Sequence, residues 1–417
     1  MVDESLSIVV TGIGVLACNG LGREAFWDAL ENGRSGIGLV DRFDTTDSPC
    51  KIAGQLWDFD PHEFLMEDDV KRWHRNVHQA VAATQYALDD ASFDDASYDP
   101  NRVAVAIGTS IGSRDEEYDR DRANFEENGW DSVGKLVSST NSAHASTANV
   151  TSKFGFCGPA ITIGSGCATG LDSITWGVTQ IRNDLADVAV VGATETPITE
   201  PVFSSGAAMG ILSLSNDEPT KAMRPFSKNG DGLVVSESSV VLVLERAASA
   251  RRRGVPIFAE IAGAHAASEG GRNPLILERN GKAVSRAVAG ALNSACMNPV
   301  ELDSIQSHGV GLSVYDKAEV QAYKLALGDH AYRVPISAVK SMTGQPYSVG
   351  GLIGVAAGCM ALTTGVVPPT INLDEPEEGC DLDFVPNHAR LNAPENALVS
   401  ALSFGGTHSA LVLRKVA

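Results

Sequence analysis

The chain has 417 residues, 43% of them hydrophobic and 20% charged, enough apolar mass for one large core or two intimate halves. Against 52 acidic side chains stand 32 basic ones, a formal net charge of −20, so nonspecific binding to nucleic acid or to an anionic membrane is electrostatically unfavourable. Seven cysteines, an odd number with no CxxC spacing in a chain too long to need disulfide staples, fit a reducing, cytoplasmic compartment.

In chain order, MVDESLSIVV lacks the basic region and cleavage site of a signal peptide and opens a first predicted strand, LSIVVTGIG. The overlapping TGIGVLACNG is only loosely like a nucleotide-binding loop, because it lacks the third glycine in register. Lys71, Arg72 and Arg75 in DVKRWHRNVHQ, like Arg251, Arg252 and Arg253 in SARRRG, read either as a solvated helix face or end, or as a landing patch for an acidic partner. A helix is expected over HQAVAATQYALDDA and a strand over RVAVAIGTS, and the polar segment 113–131 is expected to make an excursion over the surface. Further strands are DVAVVGAT, SVVLVLER, DSIQSH, RVPISAV and ALVLRKV, and further helices GLDSITWGVTQIRND and KAVSRAVAGALNSACM. This alternation predicts an α/β architecture with largely buried strands and no linker long enough to separate independent domains. The stretch GGLIGVAAGCMALTTGVV is long and uncharged enough to span a membrane. Its richness in Gly, Ala and Thr, its lack of a basic flank and the spacing of Gly350, Gly354 and Gly358 predict instead a core helix packed closely on another helix.

Cys167, in ITIGSGCATGLDS, stands where a buried strand should turn sharply into a helix. The small neighbours Gly164, Gly166, Ala168 and Gly170 permit the strained turn of a nucleophile elbow, and the helix N-terminus favours a thiolate and offers N–H groups to an oxyanion. Most cysteines are inert core residues, the reading given to the other six. His308 ends DSIQSH and precedes Gly309, which aims its imidazole into a cleft as an acid/base or hydrogen-bond donor. Asp316 and Glu319 in YDKAE either face a buried Lys340 as an ion pair or are the charge pattern of a surface helix. A weak internal echo also shows: AITIGSGCATGLDSITWGV and VPISAVKSMTGQPYSVGGLIGV both run strand, small-residue turn, helix, with Cys167 in one turn and Gln345 in the other.

Taken together, VVTGIGV, RVAVAIGTSIG, the Cys167 elbow, RPFSKNGDGLVVSE, SHGVGLSVYDKAE, KSMTG and SFGGTHSALVL resemble the β-ketoacyl-acyl-carrier-protein synthases of the thiolase superfamily over nearly the whole chain. The resemblance implies a thiolase-like duplicated five-layered α/β/α/β/α fold, with halves at 1–255 and 256–417. It implies a homodimer or a ketosynthase heterodimer, an acyl carrier protein bearing a pantetheine-linked acyl group as partner, and neither organic cofactor nor metal. It makes Cys167 the nucleophile and His308 the first of two histidines that decarboxylate a malonyl thioester. The N–H groups of Cys167 and Phe404 become the oxyanion hole, Phe404 the gate, Ile111 part of the acyl pocket, and Lys340 with Glu319 a buried organising pair beside Asp316. Lys71, Arg72, Arg75 and Arg224 become carrier-protein contacts.

Three departures gather in one cleft. The family's second histidine is Gln345, which can donate a hydrogen bond but carries no titratable proton. The family's HGTGT is HGVGL here, so Val310 and Leu312 replace hydroxyls that meet the pantetheine arm, and LSFGGTH places His408 where asparagine is usual. Three functions follow: a decarboxylating condensing enzyme, a non-elongating acyltransferase, or a chain-length-factor-like partner subunit, against which the retained Cys167 weighs. A cysteine peptidase fits the elbow context and motif order less well.

Overall fold

The structure is a computed structural model that describes residues 7–93, 98–112, 116–132, 134–271 and 279–416. Ten strands and six helices carry the architecture. In the first half these are β1 (Ile8–Ala17), α1 (Arg75–Asp90), β2 (Val103–Gly108), α2 (Ala145–Phe154), β3 (Ala160–Ile161), α3 (Thr169–Arg182), β4 (Val188–Glu195) and β5 (Ser238–Arg246). The second half holds β6 (Ala259–Ser268), α4 (Lys282–Ser294), β7 (Ser304–Gln306), α5 (Ser313–Leu327), β8 (Ile336–Ser337), α6 (Gly350–Thr364), β9 (Asn396–Leu402) and β10 (Thr407–Arg414).

The strands lie in the order β8-β7-β9-β10-β6-β1-β5-β4-β2-β3. Counted from β1, the first half has the order third, second, fourth, fifth, first, and the second half counted from β6 repeats it. Directions repeat too: all four pairings of the path β3-β2-β4-β5-β1 match those of β8-β7-β9-β10-β6, two parallel pairs at the outer end and two antiparallel pairs toward the centre. The halves join edge to edge where Val9 and Val10 pair with Glu260 and Ala259. The echo between the Cys167 and Gln345 turns is therefore a duplication: each turn follows the third strand of its half and precedes a central helix.

Three apolar clusters define the layers. One packs α1 and α2 on the outer face of the first sheet half, another packs α4 and α5 on the outer face of the second, and the largest lies between the halves around α3 and α6. Helix α6 is apolar on all sides because it has no wet face. The stretch Tyr347–Thr364 has the length and hydropathy of a membrane span, yet 83% of it is buried between the two sheet halves. Its glycines act differently from the expectation of helix-on-helix packing. A Cβ on Gly354 would come within 2.9 Å of Val399 in β9 and one on Gly358 within 2.8 Å of Leu413 in β10, so these small residues let the helix lie on the sheet.

Strand readings in both halves are met, but RVPISAV shrinks to β8, and two long strands, β6 and β9, escape the sequence reading. AEIAGAHAAS in β6 is rich in alanine, a helix former, and tertiary pairing with β10 and β1 overrides that propensity. Within segment 113–131, Glu116–Asn128 forms a helix whose described side chains face solvent, while residues 113–115 lie outside the described ones. Gly14, in the loosely nucleotide-like stretch, serves packing, since a Cβ there would lie 1.9 Å from the Ala83 carbonyl oxygen of α1. Arg251, Arg252 and Arg253 end a short helix, the bland alternative for that run, and Arg253 turns inward to Glu245 at 2.7 Å.

Candidate active site

After β3 the chain turns through Ser165 and one 3₁₀ turn, Gly166–Ala168, into α3. Gly166 has φ +64°, a conformation that side-chain-bearing residues rarely take. Ser403 clamps the turn: Ala168 N–H donates to Ser403 Oγ (2.8 Å), and that hydroxyl donates to the Ser165 carbonyl (2.8 Å). Thus the loop after β9, in the second half, holds the elbow of the first.

Cys167 is 4% exposed. Burial opposes the thiolate that the helix N-terminus favours, and pushes the thiol up to about 11. The Lys340 charge and the N–H groups of Phe404 and Cys167, which face the sulfur, pull the other way, and the Glu195 carboxylate adds to the burial effect. Gln345 Nε2 reaches the sulfur at 3.4 Å. Its main-chain N–H donates to the Val234 carbonyl (2.8 Å), which pins the turn after β8 against the first half.

His308, 2% exposed, arrives from the loop after β7. Burial, with the nearby Lys340 and His408, holds its imidazole well below the usual range, so it is neutral at pH 7. The main-chain N–H groups of His308 and Gly309 donate to Glu319 (2.6 and 2.9 Å), and Tyr323 and Ser400 hydroxyls donate to the same carboxylate (2.6 and 2.7 Å). Lys340 Nζ donates to the His308 carbonyl at 2.7 Å. Lys340 and Glu319 therefore hold the histidine loop from opposite ends of one peptide and form no direct ion pair with each other, unlike the expected pair. Asp316 accepts from Phe226 and Val310 N–H (2.8 and 3.0 Å), and burial pushes it up to about 7. Burial also brings Lys340 down to about 8, against the pull of Glu319.

Cys167, His308 and Gln345 line one cavity together with Val310, Leu312, Leu402 and Phe404. All three come from loops at the carboxyl ends of parallel strands, the usual place for α/β chemistry. The arrangement suits acyl transfer: a thiol, a neutral imidazole, an amide donor, and two main-chain N–H groups that face the sulfur.

Matches to known families agree with this geometry. Residues 6–250 match the family described as beta-ketoacyl synthase, N-terminal domain, and residues 258–374 the beta-ketoacyl synthase, C-terminal domain. The ketoacyl synthase alpha subunit of the tetracenomycin polyketide synthase from Streptomyces glaucescens is 37% identical, with 98% of this chain and 97% of that protein covered. The chain belongs to the β-ketoacyl synthase family. Another relative is the 3-oxoacyl-[acyl-carrier-protein] synthase 2 of Synechocystis, 34% identical over 99% of both chains. Among solved structures, the ishigamide ketosynthase/chain length factor superposes with TM-score 0.91 at 28% identity, covering 99% of both chains. The AntDE:AntF complex, a type II polyketide acyl carrier protein with its ketosynthase, gives TM-score 0.88 at 30% identity, covering 98% of this chain and 99% of that one. This chain is a ketosynthase, a transferase of acyl groups, with the thiolase-type fold expected of it.

Several residues of this ketosynthase lie away from their expected places. Ile111 does not line the cavity with Cys167; its N–H donates to Glu195 at 3.0 Å. The imidazole of His408 meets Glu269 at 2.9 Å and is not on the cavity wall. Arg75 donates to the buried Glu237 (2.8 and 3.0 Å), and Lys71 pairs with Glu67 one turn away (2.8 Å). The Arg224 guanidinium turns back onto the Lys221 carbonyl. Of the four expected carrier contacts, Arg72 is the one whose side chain is exposed with no ion pair among the described residues.

Glu195 was missed. It is the one charged residue of β4, ends that strand fully buried, and accepts from Thr109 Oγ1 (2.9 Å), Ser110 N (2.9 Å), Ile111 N (3.0 Å) and Ser348 Oγ (2.6 Å). It thereby ties the loop after β2 to the turn carrying Gln345. Its signal in the sequence is a lone carboxylate closing VAVVGATE, which only a cluster of donors could keep in the interior.

Proposed function

We propose that Cys167 takes an acyl group from a pantetheine thioester of an acyl carrier protein, and that the enzyme extends it by decarboxylative Claisen condensation with a malonyl-type carrier thioester, in fatty-acid or polyketide synthesis. The observation that carries this reading is the Gln345 amide 3.4 Å from the Cys167 sulfur in a cavity that His308 also lines. In the first half-reaction the sulfur attacks the thioester carbonyl, the N–H groups of Cys167 and Phe404 hold the tetrahedral oxyanion, and the thiol proton ends on the departing pantetheine sulfur. In the second, the malonyl thioester loses carbon dioxide and its enolate oxygen accepts hydrogen bonds from Gln345 Nε2 and the neutral His308 ring. The enolate α-carbon then attacks the acyl carbonyl, the tetrahedral intermediate expels the Cys167 sulfur as a thiolate, and that thiolate takes up a proton from solvent. Glu319, Lys340 and Asp316 position the histidine loop.

A non-elongating acyltransferase is the second reading, favoured by the absence of a titratable group at Gln345. A chain-length-factor-like role in a heterodimer is a third, and the cysteine in its elbow argues against it. For docking, Arg72 is the leading carrier contact, with Lys71 and Arg224 at the margin and Arg75 serving the interior. Dimerisation, with itself or with a sister subunit, fits the open edge of β3, where both residues are exposed and Ile161 is 38% accessible. We place the halves at 1–255 and 256–417, Ile111 near an acyl pocket completed by a second subunit, and the enzyme in the cytoplasm, where its seven free cysteines stay reduced.

Intact-mass analysis with acyl and malonyl carrier proteins tests these roles. The wild type should gain the acyl mass and release a β-ketoacyl product, and Cys167→Ala should gain nothing. Gln345→His should speed carbon dioxide release by about 10²-fold if the titratable group had been traded away. Acylation without carbon dioxide release would move the enzyme to the second reading, and no adduct at all would end both.

A further inference from the structure

Tyr315 lines the same cavity as the Cys167 thiol and packs beside Phe404. It lies in the first turn of α5, is 7% exposed, and its ring centroid is 5.1 Å from that of Phe404 and 6.3 Å from that of His308. The free space left in the cavity is about 20 Å³, room for about one water and far less than a thioester arm needs. The helix turn under Tyr315 is held in place, because the carboxylate of the next residue, Asp316, accepts from the main-chain N–H groups of Phe226 and Val310. With that turn held, rotation of the Tyr315 side chain is the direct way to open space above the cavity. The wall beyond the three reacting residues is apolar except for two phenol groups, those of Tyr315 and Tyr347.

We propose that Tyr315 is the specificity-determining residue of the passage to Cys167: its ring turns aside with Phe404 to admit a thioester arm, sets the bulk that passes, and its hydroxyl then donates to an amide carbonyl of that arm. Burial pushes the phenol above its ordinary range, so it remains a protonated donor at neutral pH. This inference rests on the ketosynthase reading only for the identity of the arm.

The test labels Cys167 with iodoacetamide and with the bulkier N-phenylmaleimide and reads the adduct by peptide mass mapping, with Cys167→Ala as blank. A gate open about a tenth of the time or less predicts that Tyr315→Ala raises bulky labelling by about tenfold or more, while iodoacetamide changes less. Tyr315→Trp should move the bulky-to-small ratio the opposite way, which keeps the test valid if the alanine variant folds poorly. Tyr315→Phe should keep the ratio and raise KM for an acyl-pantetheine thioester by about three- to tenfold, one neutral hydrogen bond, with kcat nearly constant. A ratio indifferent to both Tyr315→Ala and Tyr315→Trp overturns the proposal. Failure of the thioester to acylate the wild-type enzyme would overturn the ketosynthase reading, and the labelling ratio would still judge Tyr315.

Discussion

At the scale of single residues, two opposing effects meet at Cys167. The elbow, the Lys340 charge and two N–H groups favour the anion, and burial favours the thiol; burial wins, at about 11. The raised value means that the neutral form persists through pH 7–10. Alkylation of Cys167 by iodoacetamide should therefore climb steadily over that range and not level near the ordinary thiol value of about 8.5. Lys340→Met removes the stabilising cation, so its profile should shift to still higher pH. A plateau near neutrality in the wild type would show a preformed thiolate. Gln345→Ala should cut carbon dioxide release by about 10²-fold, as loss of one oriented donor to a developing oxyanion does, and leave Cys167 acylation largely intact. Gln345 could be picked out from the sequence because it interrupts a familiar motif. Ser403 could not, because its importance lies in which loops its oxygen reaches, and Glu195 left only the trace of a lone carboxylate ending a buried strand.

Elements of structure transmit these placements. The turn before α6 is fixed by Ser348, whose hydroxyl meets Glu195 at 2.6 Å. Ser348→Ala leaves a buried carboxylate one donor short, a loss of about 1–3 kcal/mol, and should lower the thermal midpoint while raising KM for the extender thioester more than for the acyl donor. Helix α6 tolerates no bulk toward the sheet. Gly354→Leu would drive a side chain into Val399, where even the Cβ has only 2.9 Å, and should cost about 1–3 kcal/mol or more, read as reduced soluble yield and an earlier melt. The regular spacing of Gly350, Gly354 and Gly358 announced a close contact, but not its partner; sheet and helix both welcome a flat glycine face. Strand β6 was illegible for a related reason, since an alanine-rich segment becomes a strand only when neighbouring strands pair with it.

For the molecule as a whole, one buried carboxylate joins distant segments. Glu237 accepts from Arg42 (2.6 and 3.1 Å), Arg75 (2.8 and 3.0 Å), Gln79 (2.9 Å) and Leu56 N (2.9 Å). Burial alone would raise it, but the Arg75 and Arg42 guanidiniums overcome that and bring it down to about 2. A depressed folded-state value contributes stability that is fully present above the unfolded value of about 4.5 and is lost as pH falls toward 2, about 3 kcal/mol in all. Acid unfolding monitored by circular dichroism should therefore steepen below pH 4.5. In Glu237→Gln that step should vanish, from a starting stability already lowered by about 3–5 kcal/mol because two cations lose their partner.

What the sequence by itself determined is the chemistry and the class of fold: periodicity set most strands and helices, the glycine context singled out Cys167, and motif order identified the family. Those signals are local, carried by neighbours along the chain. The tertiary structure alone decided the protonation of the thiol, the inward turn of Arg75, the coupling of His408 to Glu269 and the aromatic cover over the cavity. Each depends on burial or on a partner far away in sequence, and electrostatic and packing energies are set by distance in space, which one-dimensional order does not encode.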